Sequence, residues 1–145
     1  MSQSANLVQT APHTSVSNAS AATTALLGRI LISAIFILSG ISKITAPAMI
    51  MGYIESVGLP FPAVALGVAV LVEVVGGIAL VLGYQTRAVA AFLALFSVVT
   101  ALAFHSNLAD QNQFIHFFKN IAMAGGLLQV VVLGAGQYSL DARRS

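Results

Sequence analysis

The sequence predicts an all-α integral membrane protein, a four-helix bundle with its N- and C-termini on the same, cytoplasmic, side. Three observations carry this. Only 7% of the 145 residues are charged, against about 25% in soluble domains, and the mean hydropathy is +0.94. The apolar residues come in long blocks and not in the stripes of a soluble amphipathic helix. Four of these blocks approach the roughly 20 residues needed to cross a hydrocarbon core of about 30 Å.

Residues 1–23 are rich in Ser, Ala, Thr, Gln and Asn and contain no Asp, Glu, Lys or Arg, so a disordered tail is expected there. Arg29 followed by Ile30 to Leu38 has the outline of a signal peptide. The apolar run continues to Ile41, however, and Lys43 and three further spans follow it, so the segment reads as the first span. The spans are expected at about 26–44, 62–82, 86–104 and 117–133, inside one domain over 24–141, with 142–145 a short basic tail. Thr23 or Thr24 is placed to cap the first span and Thr86 the third, while Pro62 stands where a missing amide donor costs little.

The connections differ in character. Gly83-Tyr84-Gln85 makes a tight hairpin between the second and third spans. Between the first two, Met49, Ile50, Tyr53, Ile54 and Val57 recur at helical spacing before Gly58-Leu59-Pro60-Phe61-Pro62, which predicts a short helix lying in the interface. The connection from His105 to His116 is polar. Arg29, Arg87, Arg143 and Arg144 fall at one edge of the bundle and Lys43 and Lys119 at the other, which puts the termini in the cytoplasm and the longer loops outside.

Composition excludes several functions. With no cysteine, the chain has no disulfide, no thiolate metal site and no dithiol relay of its own. The net charge of +2 is scattered, so no nucleic-acid partner is expected. The partner the composition demands is the lipid bilayer. Two histidines on neighbouring spans are too near the interface to favour haem or metal, and no metal site is assigned.

The polar residues inside the apolar blocks are the candidate site. Glu73 lies near the centre of the second span, where an ionised acid costs about 2.5–3.5 kcal/mol unless it faces the bundle and pairs. Counting helical rise from the span ends makes Arg29 the expected partner, so that Arg29 and Glu73 form an intramembrane polar pair. Two readings stay open: a structural pair that fixes helix packing, or a carboxylate that handles protons or binds a head group. Lys43, His105, His116, Lys119 and Asn120 are candidates to converge on a ligand or quinone head-group site at the outer end. His, Lys and Asn can donate to a quinone carbonyl beside an apolar slot for its tail. Gly40, Gly67, Gly76, Gly77, Gly125 and Gly126 have an adequate packing role, with Ala122 and Gly126 as one small-xxx-small pair.

The pieces Gly28-Arg29, Phe36-Ile37-Leu38-Ser39-Gly40-Ile41-Ser42-Lys43, Gly58-Leu59-Pro60, Glu73-Val74-Val75-Gly76-Gly77, Gly83-Tyr84-Gln85-Thr86-Arg87, Lys119-Asn120 and Gly136-Gln137-Tyr138-Ser139-Leu140-Asp141 follow one another in a distinctive order and spacing. In that order and spacing the chain resembles the DoxX family of small four-span bacterial membrane proteins. The resemblance implies a multi-pass protein of the bacterial inner membrane and, for some relatives, a subunit of a quinone-linked oxidoreductase acting on sulfur compounds or thiols. The expectation is therefore a membrane subunit that binds quinone or links a soluble oxidoreductase partner to the quinone pool, with no covalently bound cofactor. It would be at most the membrane subunit of an enzyme. The alternatives are a proton-coupled or small-solute transporter, most naturally a homo-oligomer, and a non-catalytic membrane scaffold.

Overall fold

The computed structural model describes residues 18–144, so expectations for residues 1–17 lie outside it. Five helices follow in order: α1 (Asn18–Thr45), α2 (Pro47–Ser56), α3 (Pro62–Leu82), α4 (Thr86–Phe104) and α5 (Gln111–Leu133). All but α2 are long and apolar enough to cross a membrane. The four spans form an all-α bundle in which α1 packs along α3 and α4 along α5, with α3 against α4 joining the two pairs. The ten-residue α2 lies against α3 and buries Ile54.

The helix ends differ from the sequence expectation for local reasons. Thr23 and Thr24 do not cap α1; each hydroxyl donates back to the carbonyl four residues earlier, and the Ala-rich stretch from Asn18 is already helical. Residues 18–23, expected as tail, thus belong to the first helix. The last span starts at Gln111 and not near residue 117, because the Asp110 carboxylate accepts from the Gln113 amide as an N-cap. Pro62 occupies the first turn of α3 as expected.

Buried positions on α1 are Ala22, Arg29, Ser33, Phe36 and Gly40, of which Arg29, Ser33 and Gly40 meet α3. Glycine sets the contact distance along that face. A Cβ on Gly40 would stand 2.6 Å from Val74 Cγ2, and one on Gly77 2.7 Å from Ile37 Cγ1. Both are closer than two carbons can come, so α1 and α3 meet backbone to side chain at these levels. On the other seams Gly76 lies against Leu93, and Gly126 against Ile32, while Ala122 stays exposed. Phe36, Val72, Leu80, Ala90, Leu93, Ala94, Ala124 and Leu127 form the core between the helices.

Candidate functional site

The axial register of α1 on α3 decides which intramembrane charges can meet. Gly40 stands level with Glu73 and Val74, and Gly77 with Ser33 and Ile37. Arg29 is eleven residues before Gly40, about 16 Å along the helix axis, which is beyond the reach of an arginine side chain. Lys43 is three residues past Gly40, about 5 Å away. Glu73 therefore pairs with Lys43, at 2.9 Å from Oε2 and 3.0 Å from Oε1. Ser39 Oγ donates to Glu73 Oε1 at 3.1 Å and accepts from Lys43 Nζ at 2.7 Å, closing a triangle.

The expected Arg29–Glu73 pair is thus corrected. That expectation aligned the outer ends of the first two spans, whereas the register puts the end of α1 level with the second turn of α3 and leaves α2 to cover the difference. Ser39 was missed as a member of the site. Its signal was its spacing: Ser39 and Lys43 are i and i+4 on one helix face.

The Glu73 side chain is 7% exposed and that of Lys43 22%. Outside Lys43 a shallow groove of about 480 Å³ runs down the lipid face, lined by Ile44, Pro47, Leu66, Gly67, Val70, Leu71, Val74 and Val75. The groove is apolar except at Lys43, which stands partway along it. At Gly67 a Cβ would meet nothing within 4 Å, so the missing side chain is part of its floor.

The five residues expected to converge at the outer end fall into two groups. Lys43 belongs to the Glu73 triangle. His105 and His116 stack with centroids 5.0 Å apart and planes at 24°. His105 Nδ1 lies 2.7 Å from Gln113 Oε1, Lys119 Nζ 2.8 Å from His116 Nδ1, and Asn120 Nδ2 donates to the His116 carbonyl at 2.9 Å. An ammonium only donates, so His116 Nδ1 accepts and its proton sits on Nε2; the amide oxygen only accepts, so His105 carries its proton on Nδ1. Tyr53 of α2 reaches this end as well, donating to the Phe104 carbonyl at 2.8 Å. Gln113 and Tyr53 were not among the expected residues, since nothing in their spacing marks them.

Arg29 does its work at the opposite end. Its side chain is 1% exposed, and Nη1 donates to the Leu80 and Val81 carbonyls at 3.1 and 3.0 Å. These belong to the last turn of α3, whose carbonyls have no partner within the helix. Nη2 donates to the Tyr138 carbonyl, tying the segment after α5 to the α3–α4 hairpin. That segment continues the closure: Leu140 N donates to Leu82 O at 3.0 Å and Asp141 N to Gly83 O at 2.9 Å.

The Asp141 carboxylate then accepts from the Gln85 and Thr86 amides, both at 2.8 Å. Thr86 is accordingly the first residue of α4 and not its cap; a carboxylate 55 residues later supplies that function. Partial burial pushes the Asp141 carboxyl up, but the Thr86 and Gln85 hydrogen bonds and the nearby Arg144 outweigh it and hold it below the ordinary aspartate range.

The sequence profile of the DoxX family matches residues 24–106, from within α1 to just past α4. The chain belongs to the DoxX family. It is 40% identical over 116 residues to the inner membrane protein YqjF of Escherichia coli K12, covering 80% of this chain and 88% of that one. It is 34% identical over 123 residues to the inner membrane protein YphA of the same organism, covering 81% and 88%. No solved structure matches. Like those relatives, this DoxX protein is a multi-pass protein of the inner membrane, and Lys43, Glu73 and the groove all lie in the part that matches the family.

Proposed function

We propose that this DoxX protein binds quinone in the membrane and links a partner oxidoreductase to the quinone pool. The observation that carries the reading is the Lys43–Ser39–Glu73 triangle, whose Lys43 opens on an apolar groove that faces lipid. A quinone has the matching shape, a small head with two carbonyl acceptors and a long apolar tail. Its volume class suits the groove, since small-molecule sites run to about 300–1,000 Å³. The tail would lie over Leu66, Gly67, Val70 and Leu71, and the Lys43 ammonium would donate to one carbonyl oxygen.

The chain has no cysteine, so the two electrons that reduce quinone to quinol come from a dehydrogenase partner. The two protons go to the carbonyl oxygens. Lys43 polarises one oxygen toward protonation, and Glu73 holds Lys43 in place and balances its charge. Within a low-dielectric span an unpaired cation would cost several kcal/mol, so the pair keeps one polar point in the groove at tolerable cost.

The test is mass spectrometry of the lipids retained by wild type, Glu73→Gln and Gly67→Phe after purification in the same detergent. The phenyl ring of Gly67→Phe enters open space and blocks the tail without touching the triangle. Quinone enriched in wild type and reduced several-fold in both variants supports the reading. Equal, background quinone in all three ends it.

A further inference from the structure

At the end of the bundle remote from Lys43, a second groove of about 520 Å³ opens between the start of α4 and the end of α5. Its walls are Thr86, Arg87 and Ala88 on one side and Leu133 to Gly136 on the other, with Ser139 and Asp141 behind. Arg87 is exposed and makes no ion pair or hydrogen bond with any described residue. Its guanidinium turns its Nε–Nη2 edge to the chain at Gly134, where a Cβ would stand 3.4 Å from Nε and 3.6 Å from Nη2. Gly134 has φ 81° and ψ −166°, a backbone conformation reserved for glycine, so the chain bends away from α5 just where the guanidinium needs room.

We propose that this groove binds the phosphate of an anionic phospholipid, with Arg87 as the charged contact. Charge favours an anion: Arg29, Arg87, Arg143 and Arg144 gather at this end against Asp141, whose carboxylate is engaged by the Gln85 and Thr86 amides. Arg29 is spent on carbonyls, Arg144 lies over the Tyr84 ring at 4.9 Å, and neither Arg143 nor Arg144 lines the groove, which leaves Arg87 as the cation in it.

Depth favours a lipid over a free phosphate. Tyr84 and Tyr138, both exposed, mark the plane where aromatic side chains sit at the membrane–water boundary. Directly below, Val132 and Leu133 are 71% and 76% exposed and offer an apolar track for the first methylenes of an acyl chain. Basic pockets at helix ends in this plane recognise lipid head groups by these same forces.

The full chain is reconstituted in nanodiscs of mixed phosphatidylglycerol and phosphatidylcholine, and the lipids that remain bound after detergent extraction are weighed by native mass spectrometry. Wild type is expected to enrich phosphatidylglycerol, Arg87→Gln to lower that enrichment about fivefold, and Arg144→Gln to leave it near wild type. Ala88→Phe fills the groove without removing the charge and is expected to lower it as well. Excess inorganic phosphate should not displace the lipid. Equal losses in Arg87→Gln and Arg144→Gln, no loss in Ala88→Phe, or displacement by phosphate would each overturn the proposal, the first two by reducing it to diffuse charge and the third by making the ligand a free anion. Quinone content plays no part in these readouts, so the outcome is independent of the reading of the Lys43 groove.

Discussion

Gly40 and Glu73 lie in van der Waals register across the α1–α3 seam: a Cβ on Gly40 would stand 3.3 Å from Glu73 Cβ and 2.6 Å from Val74 Cγ2. That contact fixes the height of α1 on α3 and hence which cation Glu73 can reach. Gly40→Val forces the helices apart or tilts them. It is expected to destabilise the bundle by about 1–3 kcal/mol, read as a lower unfolding midpoint in detergent, whereas Gly67→Val, in open space, is expected to leave the midpoint nearly unchanged.

The identity of the partner is testable by coupling. Removing either member of a buried ion pair strands the other, at a cost of about 3–5 kcal/mol, while removing both costs less than the sum. Lys43→Met and Glu73→Gln are therefore expected to be strongly non-additive in a double-mutant cycle. Arg29→Met and Glu73→Gln, some 16 Å apart along the seam, are expected to add to within about 0.5 kcal/mol. Additive costs for the lysine and coupling for the arginine would reverse the assignment.

Arg29 closes the opposite end by satisfying the Leu80, Val81 and Tyr138 carbonyls together. Gly83 is pressed between it and Ser139 with φ 67°. Gly83→Ala meets both strain and overlap, and a loss of about 2–4 kcal/mol is expected. Arg29→Leu should release the segment after Leu133, seen as faster protease cleavage near residues 136–144 with the spans still folded.

The Asp141 carboxylate links that segment to the first amides of α4, and its pKa is lowered by folding. A lowered folded-state value means the stabilisation is fully present above the ordinary aspartate range near about 4 and is lost as pH falls through the folded value. Wild type is expected to lose stability below about pH 4 more steeply than Asp141→Asn. At neutral pH the variant should be less stable by about 1 kcal/mol, the usual worth of a helix cap. Parallel pH profiles for the two proteins would show that Asp141 contributes nothing by its charge.

Several contacts of the candidate site are legible in the sequence. An acid at the centre of a span has to be paired and turned inward, and Glu73 is. His116 and Asn120, one helical turn apart, do share a face, and Lys119 does meet His116. The convergence of all five outer residues was not legible correctly, because Lys43 ends α1 and His105 ends α4, on helices from different pairs of the bundle. Asp141 as the cap of α4 was beyond sequence reasoning altogether: a cap is sought within a few residues of its helix, and this one arrives from the far end of the chain.

The sequence by itself determined the solvent, the four spans, the short helix α2 and the hairpin at Gly83, since each depends on local composition, length and turn chemistry. Tertiary structure decided the partner of Glu73, the burial of Arg29 against backbone carbonyls and the place of each groove. The physical reason is that an almost uniformly apolar helix has no preferred rotation or height readable from its pattern. Those two quantities are set where glycines let one helix touch another, and a shift of two turns along the axis exchanges one cation for another.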